Sequence, residues 1–533
     1  MRWGEMMMTE VKLYDTTLRD GSQMEGINFS VQDKIQIAQK LDDLGIHYIE
    51  GGWPGSNPKD IAFFEKAQKI NFHKAKICAF GSTRKAEVKP DQDKNLRLLI
   101  EAGTPIITIF GKSWTLHVTH ALRTTLDENL RMIDDSITYL KKTGKTVFYD
   151  AEHFFDGFKH DPEYALKTIE VAYNAGADSL ILCDTNGGVL PHEINDIFKR
   201  VVAHLPDSVE IGIHAHNDSG VAVANTLVAV QCGAGQVQGT FNGYGERCGN
   251  ANLCTIISNL VLKMGVHCLS SEELKKLVEV SHFVDEIANM RPNNYQPFVG
   301  KSAFTHKGGI HASAILRDPL TYEHVIPEVV GNQRRILVSE QAGKSSILYR
   351  AKEVGIDLPA DDPRVADLIE KIKASESYGY QYEGADASFE LMLREILGET
   401  INYFTLQGFR VIVEKRGDEG VVTEATIKLR IGEHLLHTAA EGDGPVHALD
   451  NAFRKALENM YPQLKKIRLS DYKVRVLNEK DATAAKIRVL IQSTDGSHTW
   501  GTVGVSTDII EASWEALEDS IKYGLWLKTK EKN

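Results

Sequence analysis

Cysteine is scarce in this 533-residue chain: six residues, Cys78, Cys183, Cys232, Cys248, Cys254 and Cys268, with no CxxC pair among them. That density excludes a disulfide scaffold and predicts reduced thiols in a reducing compartment, the cytoplasm. Long apolar runs are also missing. No stretch approaches the roughly 20 apolar residues that cross a bilayer. The opening MRWGEMMMTE lacks the core of a signal peptide, so residues 1–8 are expected to form a disordered, frayed start. Nor is there an excess of positive charge. With 61 basic against 73 acidic residues the net charge is -12, which disfavours nucleic acid and anionic membranes as partners but leaves room for a local basic pocket.

What is present is ordinary globular material, 42% hydrophobic and 25% charged. The chain exceeds the roughly 250–300 residues that one core can serve, so two or three domains are expected. Between Val11 and Gly245 eight short apolar or β-branched runs recur, each followed by a helical pattern. They begin at Lys12, Tyr48, Lys76, Ile106, Thr146, Ser179, Glu210 and Gln236. Runs such as SLILCD are apolar almost throughout, as parallel strands covered on both faces should be. Gly45, Gly103 and Gly176 fall where helix C-caps belong. Eight consecutive βα units predict an α/β (β/α)8 TIM barrel over 1–265. The other candidate, a doubly wound open sheet, would carry a Gly-rich turn after its first strand, and KLYDTTLRDGSQ is not GxGxxG. Residues 266–399 read as a mostly helical linker region. Residues 400–533 read as a small α+β domain with an internal ββα repeat, because GDGPVHALDNAFRKAL matches STDIIEASWEALEDSI at an offset of 64, from Gly442 to Ser506.

The polar residues collect at strand C-terminal ends, where barrel active sites sit. In HAHND, His214 and His216 are spaced i, i+2 at the end of the seventh strand, so both imidazoles point to one face and can share a cation. Alone the pair is as compatible with a solvated face, or with metal-dependent barrel hydrolases, whose HxH normally lies on the first strand. TTLRDG ends the first strand with Arg19 and Asp20, an arrangement that is most often a plain ion pair. Barrel closure separates the first and seventh strands only by the eighth. Asp20 then completes an Asp/His/His set suited to Mg²⁺, Mn²⁺ or Zn²⁺. GYGERCGNAN ends the eighth strand, with glycines for close approach and Asn250 as a further oxygen ligand or a hydrogen-bond donor.

LRDGSQ (Leu18 to Gln23) and IGIHAHNDSGVAVA (Ile211 to Ala224) resemble the two signatures of the 2-isopropylmalate, homocitrate and citramalate synthase family, and GERCGNAN resembles its third loop. The resemblance spans almost the whole chain, since the doubled C-terminal region is similar to that family's regulatory dimer domain. EGGWPGSNPKD (Glu50 to Asp60) resembles the citramalate-forming branch, whereas the isopropylmalate branch more often has an EAGFP-like segment.

The resemblance implies a metal held by Asp20, His214 and His216 with Asn250 nearby, and condensation of acetyl-CoA with a small 2-oxo acid, pyruvate, in isoleucine biosynthesis. Arg19 would stabilise the alkoxide, Thr185 would hold the substrate carboxylate, and Gly245, Arg247 and Asn250 would form the acetyl-CoA loop. Glu152 and His311 are the candidates for the base, with Tyr322 as a proton donor or carrier. By themselves Glu152 reads as a surface acid, and His311 and Tyr322 as loop residues. Many relatives carry an acid two positions after the IH histidine, and here Ser313 stands there. The resemblance also implies a homodimer and an amino-acid effector, isoleucine, the effector lodged near Gly442 and Gly444 and their counterparts Ser506 and Asp508. The rivals are a 2-isopropylmalate synthase acting on 2-oxoisovalerate, and a barrel hydrolase or lyase. Related lyases carry a Gly-Cys-Pro-like loop, while Cys248 sits in ERCGN.

Overall fold

Eight parallel strands close on one another in sequence order in the computed structural model, which describes residues 10–337, 343–359, 361–399, 401–415, 417, 420–477 and 485–530. The opening segment 1–8 lies outside the described residues. The strands are β1 (Lys12–Asp15), β2 (Tyr48–Gly52), β3 (Lys76–Ser82), β4 (Ile106–Lys112), β5 (Thr146–Glu152), β6 (Ser179–Asp184), β7 (Glu210–Ala215) and β8 (Gln236–Gly239). Each begins where its apolar run begins in the sequence. β8 pairs with β7 on one side and with β1 on the other, Lys12 against Gln236 through Asp15 against Gly239. Five of the intervening helices start on side-chain caps, at Ser30, Asn57, Asp93, Thr125 and Asp161; at the first, the Ser30 hydroxyl accepts from the Asp33 amide while the Asp33 carboxylate accepts from the Ser30 amide. Gly45 follows that helix at a φ of +102°, a left-handed conformation that glycine takes without strain.

Period-two alternation sorts the barrel interior into layers. Tyr14, Tyr48, Cys78, Ile106 and Phe148 form an apolar floor. Two residues further along three of these strands stand Glu50, Thr108 and Asp150, all buried. The Tyr14 hydroxyl bridges floor and polar layer, donating to Glu50 Oε2 at 2.6 Å and lying 2.8 Å from Thr108 Oγ1. Burial raises Asp15 and Asp150 to about 7, and the neighbouring Glu50 adds to the effect at both.

Two compact units divide the chain, Met1–Phe304 with Val325–Arg334, and Thr305–His324 with Arg335–Asn533. In the second, β9 (Thr305–His306) pairs with β10 (Arg335–Ile336), and helices Gly309–Arg317, Lys344–Glu353, Arg364–Tyr378 and Asp386–Ile396 precede two antiparallel sheets. These are β11 (Thr405–Lys415), β12 (Val421–Ile431) and β13 (His434–Gly442) with helix Pro445–Leu457, and β14 (Arg468–Val476), β15 (Ile487–Thr494) and β16 (Thr499–Ser506) with helix Ile509–Lys530. The ββα repeat seen in the sequence is thus preceded in each half by one further strand. Ala448, Ala452 and Phe453 are buried in one half and Ala512, Ala516 and Leu517 in the other, which is why the repeat is visible at those positions. Among the described residues no helix is long and apolar enough to cross a membrane.

Two outcomes follow from the barrel interior. Because the folded chain holds a proton on Asp150 that the unfolded chain releases near pH 4, its stabilising contribution is present below about pH 4 and is lost as pH rises through about 7. Asp150→Asn should therefore gain in thermal midpoint relative to the parent between pH 4.5 and pH 8, and an offset that does not change with pH would count against this. At the end of β8, a Cβ on Gly239 would strike the carbonyl oxygen of Ala251, which is backbone and cannot turn aside. Gly239→Ala should cost about 1–3 kcal/mol in urea unfolding and loosen the loop that carries Asn250.

Candidate active site

The turn after β1 is built by its own side chains. Asp15 accepts from the Thr17 amide at 3.0 Å and the Thr17 hydroxyl at 2.7 Å, and the same Thr17 oxygen accepts from the Phe241 amide at 2.9 Å, tying the β1 turn to the β8 turn. Arg19 and Gly21 donate back to the Thr16 carbonyl, which turns Asp20 into the barrel mouth. His214 lies on β7, and His216 just beyond it forms an isolated bridge with Asn250.

These elements bring four of the sequence-derived residues together. His214 Nε2 is 3.2 Å from Asp20 Oδ2 and 3.4 Å from His216 Nε2. Among the described residues, Asp20, His214 and His216 form a group whose ligand atoms all lie within 4.8 Å of one another. Asn250 Nδ2 donates to Asp20 Oδ2 at 2.8 Å and lies 3.3 Å from His214 Nε2, while its Oδ1 is buried with no hydrogen-bond partner. Turning that amide over would exchange its two ends and set the oxygen among the other ligand atoms. One carboxylate, two imidazoles and an orphaned amide oxygen fit a divalent cation.

The electrostatics favour a positive charge at this point. Burial opposes the Asp20 charge, yet the Arg19 guanidinium and the two imidazoles hold its carboxyl far below the ordinary range. For His214, burial is outweighed by the hydrogen bond and charge of Asp20, which raise it, whereas burial and the neighbouring His214 push His216 down to about 3. Arg19 is fixed on three sides. Its Nε donates to Glu50 Oε1 at 2.5 Å, its NH1 lies 3.3 Å from Asp20 Oδ1, and its guanidinium carbon sits 3.8 Å above the Phe80 ring.

A cavity of about 230 Å³ opens over these groups, lined also by Trp53, Phe80, Phe110, Asp150, Glu152, Thr185 and Arg247. Glu152 ends β5 and pairs with Lys112. Thr185 Oγ1 accepts from the His153 amide at 2.9 Å, which leaves its proton to donate into the cavity. Arg247 is held by both Asp218 oxygens, at 2.8 and 2.9 Å, and by the Thr185 carbonyl. Gly245, with φ +154°, has no room for a Cβ beside Asn250 Oδ1. His311 and Tyr322 belong to the second unit, where their rings stack at 4.1 Å between centroids. In the two C-terminal halves, Gly442 and Gly444 precede helix Pro445–Leu457. Ser506 and Asp508 precede helix Ile509–Lys530, whose first amides Ile510 and Glu511 donate to Asp508 Oδ1 at 2.7 and 3.2 Å.

Sequence reasoning missed Glu50, Asp150, Gln238 and the aromatic trio of Trp53, Phe80 and Phe110. A single carboxylate inside an otherwise apolar strand, as in YIEGG, was the available signal for Glu50. No spacing rule joins three aromatics from β3, β4 and the turn after β2.

Comparison with known proteins agrees with this geometry. Residues 10–284 match the HMGL-like family, 298–379 the homocitrate synthase post-HMGL domain-like family, and 383–525 the LeuA allosteric (dimerisation) domain. The chain is 56% identical to the (R)-citramalate synthase of Aquifex aeolicus (strain VF5), over 97% of this chain and 98% of that one. It is 57% identical to the (R)-citramalate synthase of Geobacter sulfurreducens, again over 97% and 98%. A 2-isopropylmalate synthase of Methanocaldococcus jannaschii is 32% identical, over 96% and 94%. With full-length relatives at this identity and an HMGL-like barrel that carries the Asp20, His214 and His216 cluster, the chain belongs to the HMGL-like family, in its citramalate and isopropylmalate synthase branch.

Proposed function

We propose that this protein acts as an (R)-citramalate synthase, condensing acetyl-CoA with pyruvate and hydrolysing the thioester to citramalate and CoA, a step of isoleucine biosynthesis. The observation that carries the reading is the convergence of Asp20, His214 and His216 beside Arg19 at the C-terminal mouth of the barrel. A divalent cation held there, Mg²⁺, Mn²⁺ or Zn²⁺, would supply Lewis-acid polarisation of the 2-oxo acid. Thr185, whose oxygen is engaged by the His153 amide, directs its hydroxyl proton to the substrate carboxylate. Arg19, held by Glu50, keeps its remaining N–H groups for the oxygen that becomes an alkoxide when the new carbon–carbon bond forms. Glu152 and His311 are the two candidates for the single base that takes the methyl proton of acetyl-CoA. Glu152 lines the same cavity as the metal cluster and is paired with Lys112. Tyr322, stacked on His311, is the proton donor or carrier. Gly245, Arg247 and Asn250 form the loop over which acetyl-CoA lies.

Pyruvate is favoured over 2-oxoisovalerate because Trp53, Phe80 and Phe110 crowd one wall of a small cavity, with ring centroids 5.5–6.0 Å apart. The 48–57% identities to (R)-citramalate synthases against 32% to the isopropylmalate synthase support the same choice. Residues 1–265 then form the catalytic barrel, 266–399 the helical linker, and 400–533 the regulatory domain of a homodimer. Its effector, isoleucine, sits near Gly442, Gly444, Ser506 and Asp508, the equivalent strand-to-helix junctions of the two halves. Low cysteine content supports a cytoplasmic setting.

Thiol release from acetyl-CoA should run at least about tenfold faster in kcat/KM with pyruvate than with 2-oxoisovalerate, within the roughly 10- to 200-fold range that methylene-scale discrimination allows. A preference for the branched acid rejects the assignment. Chelation should abolish condensation and added Mn²⁺ should restore it. Asp20→Asn should lower kcat/KM by about 100-fold or more with a native circular dichroism spectrum, and an active Asp20→Asn protein would end the reading.

A further inference from the structure

Gln238 lies behind the metal cluster and has no role in the reaction described above. On β8 the pair Gln236 and Gln238 both face the barrel interior and are fully buried, and Gln238 stands directly across from His214 in the β7–β8 register. Its Oε1 is 3.0 Å from His214 Nδ1. Its Nε2 is 3.3 Å from Asp150 Oδ1 and 3.4 Å from Gln236 Oε1.

The two ends of an amide have the same shape, so its neighbours decide which way it points. Asp150 turns Oδ1 toward the amide as an acceptor, a role that oxygen keeps when the carboxyl proton sits on Oδ2, and calls for the NH2 end. Gln236 presents its carbonyl oxygen, because its own NH2 group donates to Glu210 Oε1 at 3.4 Å, and Glu210 is in turn paired with Lys12 at 2.7 Å. Both neighbours demand the same orientation. Oε1 of Gln238 is therefore left facing His214, and His214 must carry its proton on Nδ1 to meet it. With that proton on Nδ1, the Nε2 lone pair is free on the side where Asp20 Oδ2 and His216 Nε2 converge.

We infer that Gln238, oriented by Asp150 and Gln236, is a positioning residue that fixes His214 in the tautomer and rotation required for metal binding, so that a fully buried neutral amide sets the affinity of the site. The inference rests on the metal reading of the proposed function. A neutral amide suits this position because its orientation is set without adding a second negative charge beside Asp150 and Glu50, which are already buried in the same layer.

The test is Mn²⁺ titration of the metal-stripped full-length protein, followed by the electron paramagnetic resonance signal of the free ion. Gln238→Met keeps the length and removes the acceptor, and should weaken Mn²⁺ binding by roughly 10- to 100-fold with a native circular dichroism spectrum. The double variant Asp150→Asn/Gln238→Glu conserves net charge, keeps an acceptor for the His214 Nδ1 proton and exchanges donor and acceptor only in the contact between residues 150 and 238, so it should recover most of the lost affinity. Should Gln238→Met not fold, Gln238→Asn withdraws the acceptor by one methylene and takes its place. Parent-like Mn²⁺ binding in the single variant, or a double variant as weak as the single one, overturns the inference. A parent protein that binds Mn²⁺ no better than Asp20→Asn refutes the metal site itself, and the role of Gln238 with it.

Discussion

Closure of the barrel between β8 and β1 is the constraint on which the site depends. Asp20 and His214 are separated by almost two hundred residues in the chain, yet strand pairing leaves only β8 between the strands that carry them. Once Gln236 is registered against Lys12, the turn after β1 and the end of β7 can face one another across the mouth, at 3.2 Å between ligand atoms. The Thr17 hydroxyl reinforces this closure by accepting from the first amide beyond the β8 end, Phe241. A shift of one residue in that register would turn every inward side chain outward, so the site and the barrel core are specified by the same pairing.

Inside that frame the barrel carries an unusual load of buried charge. Glu50 and Asp20 are buried and Arg19 is largely so, all within a few residues of the strand ends, beside the buried carboxyl of Asp150, and each charge would be destabilising alone. They are tolerated as a set. Arg19 spans Glu50 and Asp20, the Tyr14 hydroxyl supplies a further donor to Glu50, and Gln238 supplies one to Asp150. Removing Arg19, which would leave Glu50 and Asp20 without their cation, typically costs about 3–5 kcal/mol. The arrangement is therefore explained by function rather than by stability. A preorganised cluster of fixed charges stabilises developing negative charge without reorganising at the moment of reaction.

Much of this was legible beforehand, for identifiable reasons. The eight strands were readable because each is an apolar or β-branched run bounded by a glycine cap or a polar turn, as in SLILCD followed by TNGG. His214 and His216 were readable because a spacing of two on a strand is a same-face spacing. Glu50, Gln238 and the Trp53, Phe80 and Phe110 wall were not readable as site residues. Their roles arise from which strand neighbours which, and nothing local in YIEGG or QVQG distinguishes a functional polar residue from a structural one. The strand that precedes each C-terminal ββα unit escaped because its residues do not take part in the internal repeat, which is confined to the helices packed on the sheets.

The sequence by itself determined the order and type of elements in the barrel, the pair of imidazoles, the Arg19–Asp20 turn and the doubling of the C-terminal region, since all of these are encoded in periodicity within a few residues. Only the tertiary structure decided that the Asn250 amide donates to Asp20 beside His214, that Glu50 holds Arg19, and that three aromatics wall the cavity. Those contacts join positions far apart in the chain, and their geometry is set by barrel closure and side-chain packing, which local sequence does not encode.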